Sequence, residues 1–508
     1  MEIIASTNQI VTIQQTFSPA LPLIFGCKEY QEEVELLDRI NRVLEKSGLE
    51  KHFVEKSLIK YEERMKEEGK EVTPWMKSYH AVLSQRVLRY NILRSLLGES
   101  FRGMSKRLAE CCLFQHFCKL AELGGVRIPS KSSLQSYEHW LSAEEIKELL
   151  NKLTMALADE KQAEEMGLEE VIKMEVFYTD TTCLEANIHF PIDWILMRDA
   201  VRSLMKRIIT IRRHGLRKRM PEPMSFIKEI NKLCIAMSSV RRQEGSNKKR
   251  KAIFRLMKKL LRKVEQHAKG YRRALDEEWQ QTDLSRKQTQ FILRGLDHII
   301  AQLPQAMKQA HERIIGARQV ASKEKILSLH EKDIHVILRG KAGAEVEFGN
   351  TLFIVEDASG YIVTHELLKE SSPGDANLLL KHCEEIQQIT GQKIKAVGGD
   401  RQFSTKATKQ LLKEKNIFNA LCPKDAAELS DRLTEKEFKR MLRRRAQTEG
   451  RVGIVKNVFL QEIPKAKGFE HRAIQVSWAI LAHNLWLIAR KALWKEVELA
   501  PLTVPLAA

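Results

Sequence analysis

The stretch EVFYTDTT, Glu175–Thr182, decides how the rest of the chain is read. Val176, Tyr178 and Asp180 alternate with Phe177, Thr179 and Thr181, a period of two in β-forming residues. The spacing predicts a strand with Asp180 at its C-terminal end. Upstream the period is helical. Val34, Leu37, Ile40 and Leu44 recur at helix spacing after Tyr30, and Gly48 suits a C-cap. Helical patterning returns over Ala81–Leu97 and Met104–Leu120, and again over Leu134–Trp140, where Ser132 or Ser133 would cap after the break GGVRIPSKSS. Short helices around a break suit a helix-turn-helix unit or two plainly packed helices; the pattern alone favours neither. Residues 1–27 carry no period and read as an irregular arm.

Downstream of EVFYTDTT, long helices run from Trp194 to about Leu329, with Leu293, Leu296, Ile300 and Leu303 as one apolar stripe. Strand signals come back at DIHVIL, TLFIVED and YIVTHELL, the last two joined by the turn Ala358-Ser359-Gly360. A helix then follows SSPGDA, a strand KIKAVGG, a helix Lys406–Lys415, a strand Ile417–Cys422, and helices to the end. With Trp194–Leu329 set aside, three strands precede α-β-α-β-α, the order of a ribonuclease-H-like α/β domain. The expected architecture has an N-terminal helical domain for DNA binding or oligomerisation at 1–150. The first part of the catalytic domain would lie at 170–193 and an all-helical basic insertion at 194–330. The remainder of the catalytic domain would span 331–495, with a tail at 496–508.

The chain has 508 residues, of which 43% are hydrophobic, 30% charged and 6% aromatic. It can bury real cores, which excludes a mainly disordered protein. Its net charge is +19, from 85 Lys and Arg against 66 Asp and Glu. The excess is local: Val201–Arg273 holds 24 basic and 4 acidic residues, and the rest of the chain is almost neutral. Clusters such as IRRHGLRKR, with Arg212 and Arg213, and NKKRKAIFRLMKKLLRK, with Lys248, Lys249, Arg250 and Lys251, have little acidic relief. A solvated helix face would carry repeated like charge at a cost. A polyanion would neutralise it, so the segment reads as a DNA-backbone binder whose affinity depends on salt and little on sequence. Eight cysteines without metal spacing, no signal-peptide pattern and no apolar run of membrane length point to a soluble cytosolic protein without membrane contact.

Two-metal phosphoryl transfer requires carboxylates converging from separate elements, because hard divalent cations take oxygen ligands. Asp180 ends the first strand. Asp400 ends KIKAVGGD, where Gly398 and Gly399 would admit a phosphate backbone. Glu449 lies in KRMLRRRAQTEGRVGIVK, spaced four residues from Arg445 and seven from Lys456. On an α-helix those three fall within roughly 60° of one another. A solvated salt-bridge face has the same spacing, but Gly450 and Gly453 each weaken a helix by about 1 kcal/mol and so imply close packing or close backbone approach.

These residues resemble the DDE transposases of bacterial insertion sequences. TDTTCLEANIHFPIDWILMRDAVRSL is similar to the family's first-aspartate region, including its Ile-His-Tyr-Pro-Thr-Asp-like motif, here Ile188-His189-Phe190-Pro191-Ile192-Asp193. GGDRQF is similar to the second-aspartate region and RAQTEGRVGIVK to the glutamate helix. Arg445, Glu449 and Lys456 match the spacing of a Tyr-Arg-Glu-Lys signature, with Leu442 in place of its tyrosine. VSWAILAHNLWLIAR resembles the closing helix, and LRSLLGESFRGMSKRLAECCLFQHF the N-terminal helical region.

The resemblance implies an enzyme of the bacterial nucleoid that binds terminal inverted repeats of double-stranded DNA, cleaves them and joins the ends to target DNA. Asp180, Asp400 and Glu449 would hold Mg2+, with Mn2+ as a substitute. Arg445, Lys456 and Arg401 would contact DNA near the metals, and a homo-oligomer would pair two ends. Two other readings share these residues: a transposase-derived DNA-binding protein without catalysis, and a Mg2+-dependent nuclease without strand transfer.

Other acidic and histidine positions have simpler readings. Glu185 and Asp193 suit surface capping or turns, Asp357 a solvated position before a turn, and Asp375 a helix N-cap. His330, His335, His471 and His483 lack ligand spacing, and the aromatics of the last helices read as core.

Overall fold

A computed structural model describes residues 2–4, 10–12, 21–22, 24–122, 124–168, 171–240, 245–321, 324–341, 344–370, 372–460 and 467–490. The expected tail, 496–508, lies outside the described residues. The chain divides into two compact units, residues 1–185 with 350–508, and residues 186–349.

The first unit begins with two three-residue strands, β1 (Glu2–Ile4) and β2 (Ile10–Thr12), paired antiparallel within the stretch read as an irregular arm. Helices α1 (Lys28–Lys46), α2 (Leu49–Glu67), α3 (Pro74–Leu97), α4 (Phe101–Glu110) and α5 (Cys112–Phe117) follow. Gly48, at φ +69, lets the chain reverse between α1 and α2. Between α5 and α6 (Lys131–Glu138), strands β3 (Ala121–Glu122) and β4 (Gly125–Val126) form a small hairpin. The cap of α6 is Ser130, whose Oγ accepts from Ser133 N at 3.2 Å, not Ser132 or Ser133 as the sequence suggested. Helices α4 and α6 pack together, but α5 and the hairpin separate them in sequence, so the break is not a tight turn. Then come α7 (Ala143–Ala158), opened by a Ser142–Glu145 capping box, and α8 (Glu160–Glu165).

Strand β5 spans Val176–Glu185, so Asp180 lies mid-strand rather than at its end. The reason is that β-forming residues continue past it, through Thr181, Thr182 and Cys183.

The second unit holds α9 (Asp193–Arg213), α10 (Pro223–Ser239), α11 (Ser246–Glu278) and α12 (Arg286–Ile314), packed around Leu204, Ile208, Phe254, Leu261, Leu296 and Ile299. It is wider than 194–330 and not purely helical. Strand β6 (His335–Lys341) ladders antiparallel with the first part of β7 (Ala344–Asp357), from His335 opposite Gly349 to Lys341 opposite Ala344.

The chain re-enters the first unit along β7. The second part of β7 pairs antiparallel with β8 (Ile362–Leu367), and α13 (Asp375–Thr390), β9 (Ala396–Gly399), α14 (Lys406–Glu414) and β10 (Phe418–Leu421) follow. The last elements are α15 (Ala426–Arg432), α16 (Lys436–Ile454), a π-helical turn over Val455–Phe459, and α17 (Phe469–Arg490). In the first unit the sheet order is β10-β9-β5-β7-β8, with β9 parallel to both β5 and β10. The expected pairing of the first strand with the TLFIVED strand is therefore present, with residues 186–349 leaving and rejoining between neighbouring strands.

Helices before Glu175 share one apolar cluster with the sheet. Phe53, Leu88, Leu153, Phe353, Val397 and Trp478 belong to it together. These helices are thus packed onto the sheet, not cored alone. Each fully buried side chain of this size contributes about 1.5–3 kcal/mol. Helix α17 is apolar on nearly every side because it is enclosed. Asn484 docks it to the edge strand: its Nδ2 donates to Ile362 O at 2.7 Å, and its Oδ1 accepts from Ile362 N at 3.0 Å.

Candidate active site

Strand alternation assigns the two faces of β5. Phe177 belongs to the large core, whereas Tyr178 packs with Ala396, Ala420, Phe438 and Met441 on the face covered by α16. With a period of two, Asp180 lies on the α16 face as well. The β5–β9 ladder pairs Val176 with Ala396, Phe177 with Val397 and Tyr178 with Gly398. Asp180 and Asp400 each follow the last of these pairs by two residues, Asp400 just past the end of β9. On α16, Phe438 and Met441 fix the face that meets the sheet, and steps of three or four residues carry it on to Arg445, Thr448 and Glu449.

The electrostatics agree with that convergence. Asp180 is pushed up to about 6, chiefly by burial; the charges of Asp400 and Glu449 push the same way. The Thr181 N–H, 2.8 Å from Oδ1, and the Arg445 guanidinium oppose them. Asp400 Oδ1 accepts from Gln402 N at 2.8 Å, which orders the turn after β9. Arg445 Nη2 donates to Glu449 Oε1 at 3.0 Å, and the Glu449 side chain is 62% exposed.

Carboxylates from the end of β9 and from α16 therefore both act on Asp180 of β5, with Arg445 opposing them. Their all-oxygen chemistry fits a hard divalent cation, and a cation would offset both the burial that chiefly raises Asp180 and the like charges that add to it. Among the described residues, no three His, Cys, Asp or Glu side chains already stand in a metal-binding arrangement. Glu449 is turned to Arg445, so ligating a metal requires that carboxylate to be shared or released.

Other expected site residues fall elsewhere. Lys456 lies in the π-helical turn, half-buried, so α-helical spacing no longer sets its direction relative to Glu449. Arg401 follows Asp400 and is exposed. In the second unit, Arg213, Lys248 and Lys249 are exposed, and Lys251 is half-buried. Arg212 reaches the Tyr271 hydroxyl at 3.3 Å, and Arg250 stacks over Trp194 at 5.4 Å, so both are partly structural.

Several local readings are corrected. Gly398 and Gly399 are buried by protein: a Cβ on Gly398 would sit 2.9 Å from the Tyr178 ring, and one on Gly399 2.9 Å from Leu421 and Thr179. They admit neighbouring side chains, not a phosphate. Gly450 and Gly453 show the reverse, with nothing within 4 Å of an added Cβ, so they do not mark close packing within the chain. Asp357 is not solvated; it is 1% exposed, and its Oδ1 accepts from Ser359 N, Ser359 Oγ and Tyr361 N at 2.7–2.9 Å. Asp193 is likewise buried, bonded to Gln309 at 2.8 Å and paired with Arg313 at 2.9 Å. Gly374, not Asp375, occupies the cap position of α13.

Sequence reasoning passed over Glu356. It is fully buried at the end of β7 and bound by Arg444, Thr448 and Arg451 of α16. The available signal was an acidic residue inside the apolar strand TLFIVED, facing an arginine-rich helix.

Among the described residues, no helix is long and apolar enough to cross a membrane. Compared with known proteins, the chain matches no protein-family model, no curated protein and no solved structure.

Proposed function

We infer that this chain is a DDE-type DNA transposase with a ribonuclease-H-like catalytic core. The observation that carries the reading is the convergence on Asp180 of two carboxylates distant in sequence, Asp400 and Glu449. The sheet order of the first unit supports it: β5, β7 and β8 lie side by side, and β9 and β10 lie on the other side of β5, both parallel to it. The same residues support phosphodiester chemistry on DNA because a buried carboxylate raised to about 6, with two further carboxylates in electrostatic reach, is suited to sharing a cation.

Asp180, Asp400 and Glu449 would hold Mg2+ or Mn2+, which when bound neutralises developing charge on the attacking and leaving oxygens. Arg445, beside Glu449, would bind the phosphate that undergoes attack, and exposed Arg401 and half-buried Lys456 would hold flanking phosphates. The basic helices of the second unit would bind duplex DNA through its backbone. A homo-oligomer would bring two transposon ends together.

The deciding experiment supplies end DNA and a target plasmid with Mg2+. Cleavage with joining supports the transposase. Cleavage alone reduces it to a nuclease, and binding without cleavage to a DNA-binding derivative. Asp180→Ala, Asp400→Ala and Glu449→Ala should each abolish cleavage while end binding persists. Retained cleavage in any one of them removes that residue from the site.

A further inference from the structure

We propose that Glu356 is a positioning residue that fixes the rotation of α16, so that Arg445 and Glu449 rather than their neighbours face Asp180. The proposal rests on the active-site reading above and adds to it a group outside the carboxylate trio.

Glu356 is 0% exposed. Its Oε1 accepts from Arg444 Nη1 at 2.9 Å and from Thr448 Oγ1 at 2.8 Å, and Arg451 Nε lies 3.5 Å from Oε2. Residues 444, 448 and 451 form one stripe of the helix. Arg445 and Glu449 form the stripe beside it, one residue onward, or about 100° around the axis. Gripping the first stripe therefore sets the azimuth of the second.

The grip is tied to the sheet at both ends. Arg444 also donates to Ala358 O at 3.0 Å and Asp357 O at 3.2 Å, and its guanidinium lies 4.8 Å from the Tyr178 ring centroid, two residues before Asp180. Arg451 packs against Gly360 so tightly that any Cβ there would collide with its guanidinium. A buried carboxylate held by two arginines tolerates little displacement, because a broken pair leaves charge buried and uncompensated.

The test uses the full chain and Mn2+ alone as probe, with Mn2+ affinity, α16 amide hydrogen exchange and thermal midpoint measured for wild type, Asp180→Ala, Glu356→Gln and Thr448→Val. Asp180→Ala should abolish specific Mn2+ binding. Glu356→Gln, and the milder Thr448→Val, should weaken Mn2+ binding by about 10- to 100-fold, as partners behind metal ligands commonly do, and speed exchange across 444–452. A lowered midpoint with Mn2+ affinity unchanged would overturn the proposal, since that is a purely structural role. If Glu356→Gln does not fold, Thr448→Val decides by the same criteria. If wild type and Asp180→Ala bind Mn2+ alike, the active-site reading fails by itself, and unchanged α16 exchange in the folded variants then overturns the positioning role independently.

Discussion

Asp180 and Asp400 are the same two residues beyond the last paired positions of neighbouring parallel strands, Tyr178 on β5 and Gly398 on β9. The ladder's constant offset of 220 carries Asp400 into electrostatic reach of Asp180 despite their separation in sequence. Burial chiefly disfavours the ionised form of Asp180, and the charges of Asp400 and Glu449 add to that. Asp180, the most enclosed, retains its proton up to about 6.

That raised value makes a prediction for stability. The folded Asp180 binds its proton more tightly than the unfolded chain, whose value is 3.8. Its contribution is therefore full below about 4 and is lost as pH rises through about 6, at a cost on the order of 2–3 kcal/mol. Asp180→Asn should consequently stabilise the metal-free protein at pH 8 and give little gain at pH 4. Urea unfolding of wild type and variant at both pH values checks this. Equal differences at the two would show that folding does not raise Asp180.

A second prediction concerns the open flank of α16. Nothing lies within 4 Å of a Cβ on Gly450 or Gly453, so Gly450→Ala and Gly453→Ala meet no steric obstacle. Each should raise stability by about 0.5–1 kcal/mol through helix propensity. If DNA lies along that flank, the same changes should lower cleavage while thermal stability rises. A rise in both would mean that the glycines face only solvent.

Much of this arrangement was legible in the sequence because it rests on local periodicity. Strand alternation in EVFYTDTT, the turn at Ala358-Ser359-Gly360 and the helix from Lys406 all correspond to elements of the fold. Helix α2 was not anticipated, since its apolar residues follow a weak helical period. The partners of Glu356 and Asn484 were not legible for a different reason. The roles of these two residues depend on partners 88 to 122 residues away, Arg444 and Ile362, and no local pattern encodes such a pairing. The glycine readings failed because composition shows where a Cβ is missing, but not whether protein or open space fills the gap.

A third prediction follows from His382, buried between two carboxylates. Its Nε2 is 3.0 Å from Glu366 and its Nδ1 2.8 Å from Glu385. Hydrogen bonding to His382 leads in drawing Glu366 down to about 2, with Lys381 helping against burial. Burial would raise Glu385, but His382 and Lys147 outweigh it and bring it to about 2 as well. Depressed carboxylates stabilise the fold above their unfolded value of 4.5, and that stability is lost as pH falls toward 2. His382→Gln should therefore lower stability near neutrality, by about 1 kcal/mol once solvent screening of the half-buried carboxylates is allowed for, and shift the acid-unfolding midpoint upward. Circular dichroism across an acid titration reads both effects, and an unmoved midpoint would refute the coupling.

The last prediction tests the basic insertion. Lys248, Lys249 and Lys251 open α11, the first two exposed, whereas Arg250 in the same cluster stacks on Trp194. Removing Arg250 would disturb packing and charge together, so the informative variant changes the three lysines to glutamine and keeps the arginine. If they bind phosphates, each phosphate left without its lysine should reduce the slope of log affinity against log salt by about 0.9. Affinity should fall by similar factors for end DNA and for unrelated duplex, because binding to the backbone carries no sequence information. Cleavage of DNA already bound should change much less, since none of the three belongs to the carboxylate cluster. Fluorescence anisotropy at several salt concentrations measures the slope directly. An unchanged slope would make the cluster a solvated face and remove the main support for DNA binding by this unit.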